Sequence, residues 1–184
     1  EGRDELARVS ARTRAQEIGI MRECDVTLVV SPVEKEILAR DAPGVSVDVL
    51  SNVHEIFGCR TPFGERRDLL FVGGFQHPPN SDAVLWFVRD ILPRVHAAIP
   101  GLRLHVIGSK VTEAIRALAS EQVIVHGFVD DIAPAMDAAR ISIAPLRYGA
   151  GVKGKVNMAM SYGLPVVATP MAVEGMHVQS GKEV

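Results

Sequence analysis

The residues best suited to bind an anion lie in one loop, RYGAGVKGK at 147–155. Gly149 and Gly151 expose backbone N–H groups just before a predicted helix, and a helix N-terminus attracts negative charge. Lys153 and Lys155 add two positive charges at the same place. Because these lysines oppose the helix dipole, a bound phosphate or diphosphate explains their position best, and a solvated pair of lysines is the alternative.

The same loop also matches the dinucleotide-binding pattern GxGxxG at 149–154, with Glu174 about 20 residues further on. Several residues separate the first glycine from the preceding predicted strand, whereas the pattern normally lies in the tight turn itself. Glu174 also falls beyond the end of the next predicted strand. A fragment of an NAD-dependent oxidoreductase is therefore an alternative to the phosphate-binding interpretation.

Two further loops follow predicted strands. GGFQHPPN at 73–80 begins with two glycines, which allow a tight turn and a close approach of a ligand to the backbone. Asn80, Ser81 and Asp82 are predicted to cap the helix that follows. In GFVDD at 127–131 the acidic pair is predicted to cap the next helix, and a backbone-lined pocket for a nucleobase is the alternative. Each loop also fits a plain strand–helix connection.

These loops need a sheet that brings them together. Apolar strands alternate with helices, which predicts an α/β fold with a Rossmann-like parallel sheet and helices on both faces. Ligands bind at the carboxyl ends of the strands in such sheets. A capping box, SPVE, is predicted to start the second helix. The predicted strands are 27–31, 45–51, 68–74, 102–109, 123–129, 141–146 and 165–170, and the predicted helices are 3–23, 32–41, 81–98, 112–120, 131–139 and 154–162.

Composition narrows the function classes. The 184 residues are 47% hydrophobic with a net charge of −2, so nucleic acid is not expected as a partner. No apolar run is long enough to span a bilayer, which leaves only peripheral membrane association. Neither the histidines nor the two cysteines have metal-ligand spacing, so no metal is expected. Cys24 and Cys59 are predicted to be buried or half-buried free thiols, and both chain ends suggest a fragment of a longer protein.

Four segments in order, LLFVGGFQHPPNSDAVLWF, LHVIGS, VIVHGFVDDI and APLRYGAGVKGKVNMAMSYGLPVVATPMAVEGM, resemble the donor-binding half of a group 1 (family 4) glycosyltransferase. The resemblance covers about 68–178 and implies one half of a two-domain GT-B fold. It implies that residues 1–52 are a remnant of the N-terminal acceptor-side domain, 53–67 an interdomain linker, and 68–184 a truncated nucleotide-sugar-binding domain.

The resemblance also implies a reaction and its participants. A sugar would pass from a nucleotide-diphosphate sugar to a glycan or lipid-linked acceptor, with retention of configuration and without a metal or other cofactor. The acceptor would be bound mainly by the missing N-terminal domain, the location would be cytoplasmic, and the fragment alone would be inactive. Two alternatives stay open, a non-catalytic α/β interaction domain and a sugar-nucleotide epimerase on the same fold.

The family's site residues carry over unevenly. Its diphosphate-binding Arg and Lys fall at Gly74 and Pro79, so that pair is absent, and its Glu-x7-Glu motif falls at Ala150 and Met158. The loss of the second Glu removes a ribose contact and supports the non-catalytic alternative. The resemblance leaves the catalytic residues unidentified. It implies diphosphate binding by Lys153, Lys155, Gly149, Gly151 and Gly74, and nucleoside or sugar binding by Gly73, His77, Asn80, Val129, Met158 and Glu174.

Overall fold

The structure is a computed structural model that describes residues 2–149 and 151–182. The chain divides into two compact units, Glu1–Asn52 and Val53–Val184. In the described residues no helix has both the length and the apolar character that a membrane span requires.

The first unit pairs two helices with a short parallel ladder: α1 (Gly2–Glu23), β1 (Thr27–Val29), α2 (Pro32–Asp41) and β2 (Val47–Val49). The predicted capping box is confirmed. The Ser31 hydroxyl accepts from the Glu34 N–H at 3.3 Å, and the Glu34 carboxylate accepts from the Val30 N–H at 2.9 Å. Proline at the first position of α2 needs no N–H partner, so the helix begins where the sequence predicts.

The second unit is built on a five-stranded parallel sheet of order β5-β4-β3-β6-β7. The strands are β3 (Arg67–Val72), β4 (Leu104–Ile107), β5 (Val123–Gly127), β6 (Ala139–Ala144) and β7 (Val166–Ala168). The flanking helices are α3 (Pro78–Trp86), a π-helical turn (Phe87–Ile91), α4 (Leu92–Ala98), α5 (Glu113–Arg116), α6 (Ala133–Ala138) and α7 (Gly154–Ser161), with 3₁₀ turns at Phe63–Glu65 and Pro170–Val173.

This arrangement confirms the predicted parallel α/β fold. The central strand β3 supplies Leu70 and Phe71, which are completely buried, and its neighbour β4 buries Leu104 and Val106. Apolar side chains on both faces of these strands are what helices on a sheet require. Because β6 pairs with β3, the loops after β3 and β6 end at the same edge of the sheet.

Two local predictions are wrong. The helix after β3 begins at Pro78 instead of residue 81, since proline has the backbone angle of a first helical residue. Asn80 therefore lies inside the first turn of α3 instead of capping it. Cys24 and Cys59 are exposed free thiols, not buried ones, because both lie in irregular segments that no core covers.

The stretch 53–67 is the first part of the second unit and packs against the end of α7. The N–H groups of Phe57 and Gly58 donate to the Ser161 carbonyl at 2.9 Å, and the ring of Phe57 stacks on Tyr162 with centroids 4.7 Å apart. These contacts attach the segment that the sequence marks as a linker to the carboxyl end of α7. The roles assigned to the domains stay predictions.

Arg66, in the same stretch, is 1% exposed and donates to the Thr61 carbonyl at 3.0 Å and the Gly163 carbonyl at 3.3 Å. We expect Arg66→Ala to lower the free energy of unfolding by about 2–4 kcal/mol, because it leaves a cavity and two carbonyls without donors. Urea denaturation measures this. Arg94→Ala, which removes an exposed arginine, is the control, with an expected change within about 0.5 kcal/mol. Equal losses would contradict the role of Arg66.

Candidate functional site

A polar cluster lies at the carboxyl ends of β3 and β6. We call it the Lys155 cluster and define it as Gly73, Gly74, Asn80, Lys153 and Lys155. Gly73 and Gly74 lie in the loop after β3, and Asn80 lies in the first turn of α3. The two lysines lie at the start of α7. The sequence predicted each of the five as a donor-binding residue, and the structure brings them together.

Lys155 is the centre of the cluster. Its ammonium donates to Oδ1 of Asn80 and lies 4.3 Å from the centre of the Phe71 ring. Burial, together with the smaller effect of the positive charge of Lys153, lowers the pKa of Lys155 to about 8. An ammonium that has lost part of its hydration next to a second cation is stabilised by an anion.

Asn80 is held on both sides. Its side chain is buried, with 6% of the residue exposed, and its Nδ2 donates to the Gly74 carbonyl at 2.8 Å. Its own N–H donates to the His77 carbonyl at 3.0 Å, which fixes the first turn of α3. The amide therefore has a defined orientation, with the nitrogen toward Gly74 and the oxygen toward Lys155.

Two glycines allow this close packing. A Cβ on Gly73 would lie 2.8 Å from Nδ2 of Asn80 and 3.0 Å from Nζ of Lys155. A Cβ on Gly108, which follows β4, would lie only 1.9 Å from the Gly73 carbonyl oxygen. The ends of β3 and β4 thus approach so closely that Gly108 has no room for a side chain, whereas a side chain at Gly73 would displace Asn80 or Lys155. The sequence identified Gly73, but it gave no signal for Gly108.

Lys153 lies at the N-cap of α7 and is 8% exposed. Its ammonium donates to the Gly151 carbonyl and, at 3.4 Å, to the Gly149 carbonyl. The two glycines have φ of +135° and +73°, which side chains rarely adopt, so the loop can wrap around the ammonium only because glycine occupies these positions. The two lysines therefore differ, since Lys153 holds the loop and Lys155 contacts Asn80.

An ion pair that the sequence analysis missed ties the loop to α3. Arg147 donates from Nε to the Asp82 carboxylate at 2.9 Å, forms a second bond to it, and lies 5.4 Å from the Trp86 ring. The guanidinium holds the pKa of Asp82 below its ordinary value. Since 65 residues separate the pair, no local spacing could have revealed it.

Four predicted nucleoside or sugar residues stand apart from the cluster. His77 joins it through backbone atoms only, Met158 packs against the core, and Glu174 is exposed. Val129 lines a cavity elsewhere. In the described part of the chain, none of these four side chains forms a hydrogen bond or ion pair with the cluster. Their predicted role stays a prediction.

The cavity that Val129 lines has a volume of about 650 Å³ and includes none of the cluster residues. Asp68 and His105 form part of its wall. Asp68 accepts from the Arg103 N–H at 3.0 Å and from His105 at 3.2 Å, and the second ring nitrogen of His105 lies 2.9 Å from His126. Burial raises the pKa of Asp68, but these hydrogen bonds outweigh burial and lower it.

The predicted acidic cap of α6 is half confirmed. The Asp131 carboxylate accepts from the Ala133 N–H at 2.9 Å, while Asp130 is exposed and makes no such bond. The described residues contain no group of three or more His, Cys, Asp or Glu side chains placed to hold a metal ion.

Residues 66–183, which include the whole Lys155 cluster, match the family described as glycosyl transferases group 1. The chain belongs to this family. The resemblance inferred from the sequence is thereby confirmed, and the loop at 147–155 lies within the matched region. None of the curated proteins matches the chain.

Solved structures of other proteins share the fold. TarM from S. aureus has a TM-score of 0.74 at 13% identity, covering 87% of this chain and 33% of its own. Sucrose-phosphate synthase from Thermosynechococcus elongatus has a TM-score of 0.66 at 20% identity, and the match covers 86% of this chain and 44% of that chain. HepE from Anabaena has a TM-score of 0.62 at 14% identity, and the match covers 84% of this chain and 47% of that chain. The chain thus spans between a third and a half of the length of these structures.

Proposed function

We propose that this chain is the donor-binding part of a glycosyltransferase that moves a sugar from a nucleotide-diphosphate sugar to a glycan or lipid-linked acceptor. The half-buried Lys155 ammonium beside Lys153, at the N-terminus of α7, is the observation that carries the proposal. Membership of the group 1 family supports it. Among structures of the same fold, TarM was solved with UDP and HepE with UDP and glucose.

The chemistry proposed for the cluster is charge stabilisation. When the bond between sugar and phosphate breaks, the leaving nucleoside diphosphate gains negative charge. Lys155, Lys153 and the N–H groups of the first turn of α7 are placed to balance that charge. Gly149, Gly151 and Gly74 would let the phosphates approach the backbone closely.

Retention and independence of metal are parts of the same proposal. Two ammonium groups in a poorly hydrated site can supply the positive charge that a divalent cation supplies elsewhere, which supports transfer without metal. Transfer by the full-length protein in excess EDTA, with the product's anomeric configuration read by NMR, tests both. Loss of transfer on chelation, or an inverted product, would refute the corresponding part.

The binding of the nucleoside, the sugar and the acceptor is also part of this proposal. Gly73 and the four separate residues would face the nucleoside or sugar, whereas Asn80 would serve the diphosphate through its contact with Lys155. The acceptor would be bound mainly by a domain on the N-terminal side. Cys24 and Cys59 are exposed free thiols, which supports a reducing cytoplasmic location. Any membrane association would be peripheral.

Nucleotide titration tests the proposal directly. We expect UDP or GDP at 100 times its dissociation constant to stabilise the 184-residue chain by about 2.7 kcal/mol in a thermal-shift assay. The same ligand should shift the backbone amide signals of 149–155 in NMR spectra. Stabilisation by NADH with none by UDP or GDP would instead favour an oxidoreductase, and free UDP without glycoside product would indicate an epimerase.

The pH dependence of this binding follows from Lys155. Its pKa is lowered to about 8, so it is charged at neutral pH and loses its proton as the pH rises above 8. A bound diphosphate favours the charged form. We therefore expect affinity for UDP to be constant between pH 6.5 and 7.5 and to fall by at most about tenfold per pH unit above 8. A flat profile up to pH 10, measured by calorimetry, would contradict this assignment.

A further inference from the structure

Asn80 is a buried polar side chain next to the proposed diphosphate site. A neutral amide lies between a backbone carbonyl and the cation of the proposed diphosphate site, and both of its polar ends are used. Asn80 and Lys155 lie 75 residues apart in the sequence. Neither the helix that contains Asn80 nor its core packing requires an amide at this position.

We propose that Asn80 is a positioning residue that fixes the Lys155 ammonium in place for the donor diphosphate. The proposal rests on the proposed function, because it assigns a role within the same site. Asn80 acts through Lys155 and does not itself have to touch the nucleotide.

The orientation of the amide follows from hydrogen-bond chemistry. The Gly74 carbonyl can only accept, so it selects the Nδ2 group, and Oδ1 must then point the opposite way. An ammonium can only donate, so it selects that oxygen. A flipped amide would place Oδ1 against the Gly74 carbonyl, which is acceptor against acceptor. It would also place Nδ2 against the Lys155 ammonium, which is donor against donor. Gly74 therefore determines, through Asn80, where a cation is accepted.

A neutral partner suits an ammonium that must bind an anion. Lys155 has three N–H donors and uses one on Asn80, so two others are left to donate to phosphate oxygens. A carboxylate in place of the amide would neutralise the ammonium and repel the diphosphate. The amide fixes the position of the cation and leaves its charge uncompensated.

The surroundings of Asn80 are rigid. Two prolines, Pro78 and Pro79, start α3, and Pro79 is buried with its ring 3.7 Å from the position of a Cβ on Gly149. The Phe71 ring lies on another side of the Lys155 ammonium, 4.3 Å away. The ammonium is thus confined by an aromatic ring, an amide oxygen and the bare backbone of Gly73.

The experiment compares Asn80→Asp and Asn80→Leu with the matched control Ser81→Ala on the same helix. The first readout is the affinity for UDP and for uridine by calorimetry at neutral pH. We expect both Asn80 variants to bind UDP at least tenfold more weakly, because one adds a repelling charge and the other removes the acceptor. Uridine binding and the Ser81→Ala variant should stay within about twofold of the unchanged chain.

The second readout separates positioning from a merely structural role. In Asn80→Asp the new carboxylate favours the charged ammonium, so the pKa of Lys155, followed by NMR of labelled lysine without ligand, should move upward from about 8. A merely structural role would instead lower the melting temperature and weaken UDP and uridine binding alike. If Asn80→Leu does not fold, Asn80→Asp alone still decides the question.

Failure of this inference differs from failure of the proposed function. Unchanged UDP affinity and an unchanged Lys155 titration in Asn80→Asp, with UDP still bound by the wild-type chain, would overturn only the role of Asn80. No UDP or GDP binding by the wild-type chain would overturn the proposed function and, with it, the purpose assigned to Asn80.

Discussion

Lys155→Met should weaken binding of UDP or GDP at neutral pH by roughly ten- to a hundredfold, since a charge-assisted hydrogen bond is worth about 1.5–3 kcal/mol. Methionine keeps the apolar part of the side chain next to Phe71 but loses the ammonium. Calorimetry with UDP and with uridine separates the phosphate contribution from that of the base and ribose. Affinity for uridine should not change.

The same variant should fold about as well as the wild-type chain, because the relieved desolvation cost offsets the hydrogen bond that Oδ1 of Asn80 loses. Burial already disfavours the charged form of Lys155, so removing the charge relieves a desolvation cost. Lys153→Met should instead lower the stability of the fold. Its ammonium holds the Gly149 and Gly151 carbonyls, so its loss loosens the loop. Lys182→Met, at an exposed position, is the charge-matched control. Equal loss of UDP and uridine binding in Lys155→Met would show that this lysine does not contact phosphate.

The sequence predicts the elements of this fold well because burial and helix starts leave local patterns. The apolar runs of β3 and β4 predict a sheet covered on both faces, and the Ser31–Glu34 capping box marks the start of α2 correctly. The lysine loop was also predictable, since glycines and cations before a helix have a local chemical meaning. Each of these inferences depends on neighbours in the sequence.

The partners of the lysines were not predictable in the same way. The amide of Asn80 reaches Lys155 only because the chain returns across the sheet and places β6 beside β3. The strand order is not written in any single segment, so polar pairs that bridge it have no local signal. The Arg147–Asp82 pair and the packing of Phe57 on Tyr162 were missed for the same reason.

The strand order also explains why a side chain at Gly108 would have so little room. β3 pairs with both β4 and β6, so the segment after β3 is confined between the ends of two neighbours. Gly108 faces the carbonyl of Gly73 on one side, while Asn80 and Lys155 lie on the other. A side chain at Gly108 would press on backbone, whereas a side chain at Gly73 would press on the ends of side chains.

This difference predicts a larger loss of stability for an alanine at Gly108 than for an alanine at Gly73. Gly108→Ala places a methyl group 1.9 Å from the Gly73 carbonyl oxygen, which backbone must move to relieve. We expect it to lower the free energy of unfolding by about 3 kcal/mol and to weaken UDP binding as well. Gly73→Ala should cost less stability than Gly108→Ala, because side-chain atoms of Asn80 and Lys155 have to shift and not backbone, yet it should weaken UDP binding at least tenfold.

Denaturant unfolding and calorimetry on the same samples measure both quantities. Gly64→Ala is the control, since a methyl group there meets no atom within 4 Å, and it should change stability by less than about 0.5 kcal/mol. If Gly73→Ala loses stability without losing UDP affinity, the close approach of Asn80 and Lys155 serves only packing. Loss of affinity with the fold intact would instead show that the bare backbone at Gly73 exists to let the amide and the ammonium meet at the end of β3.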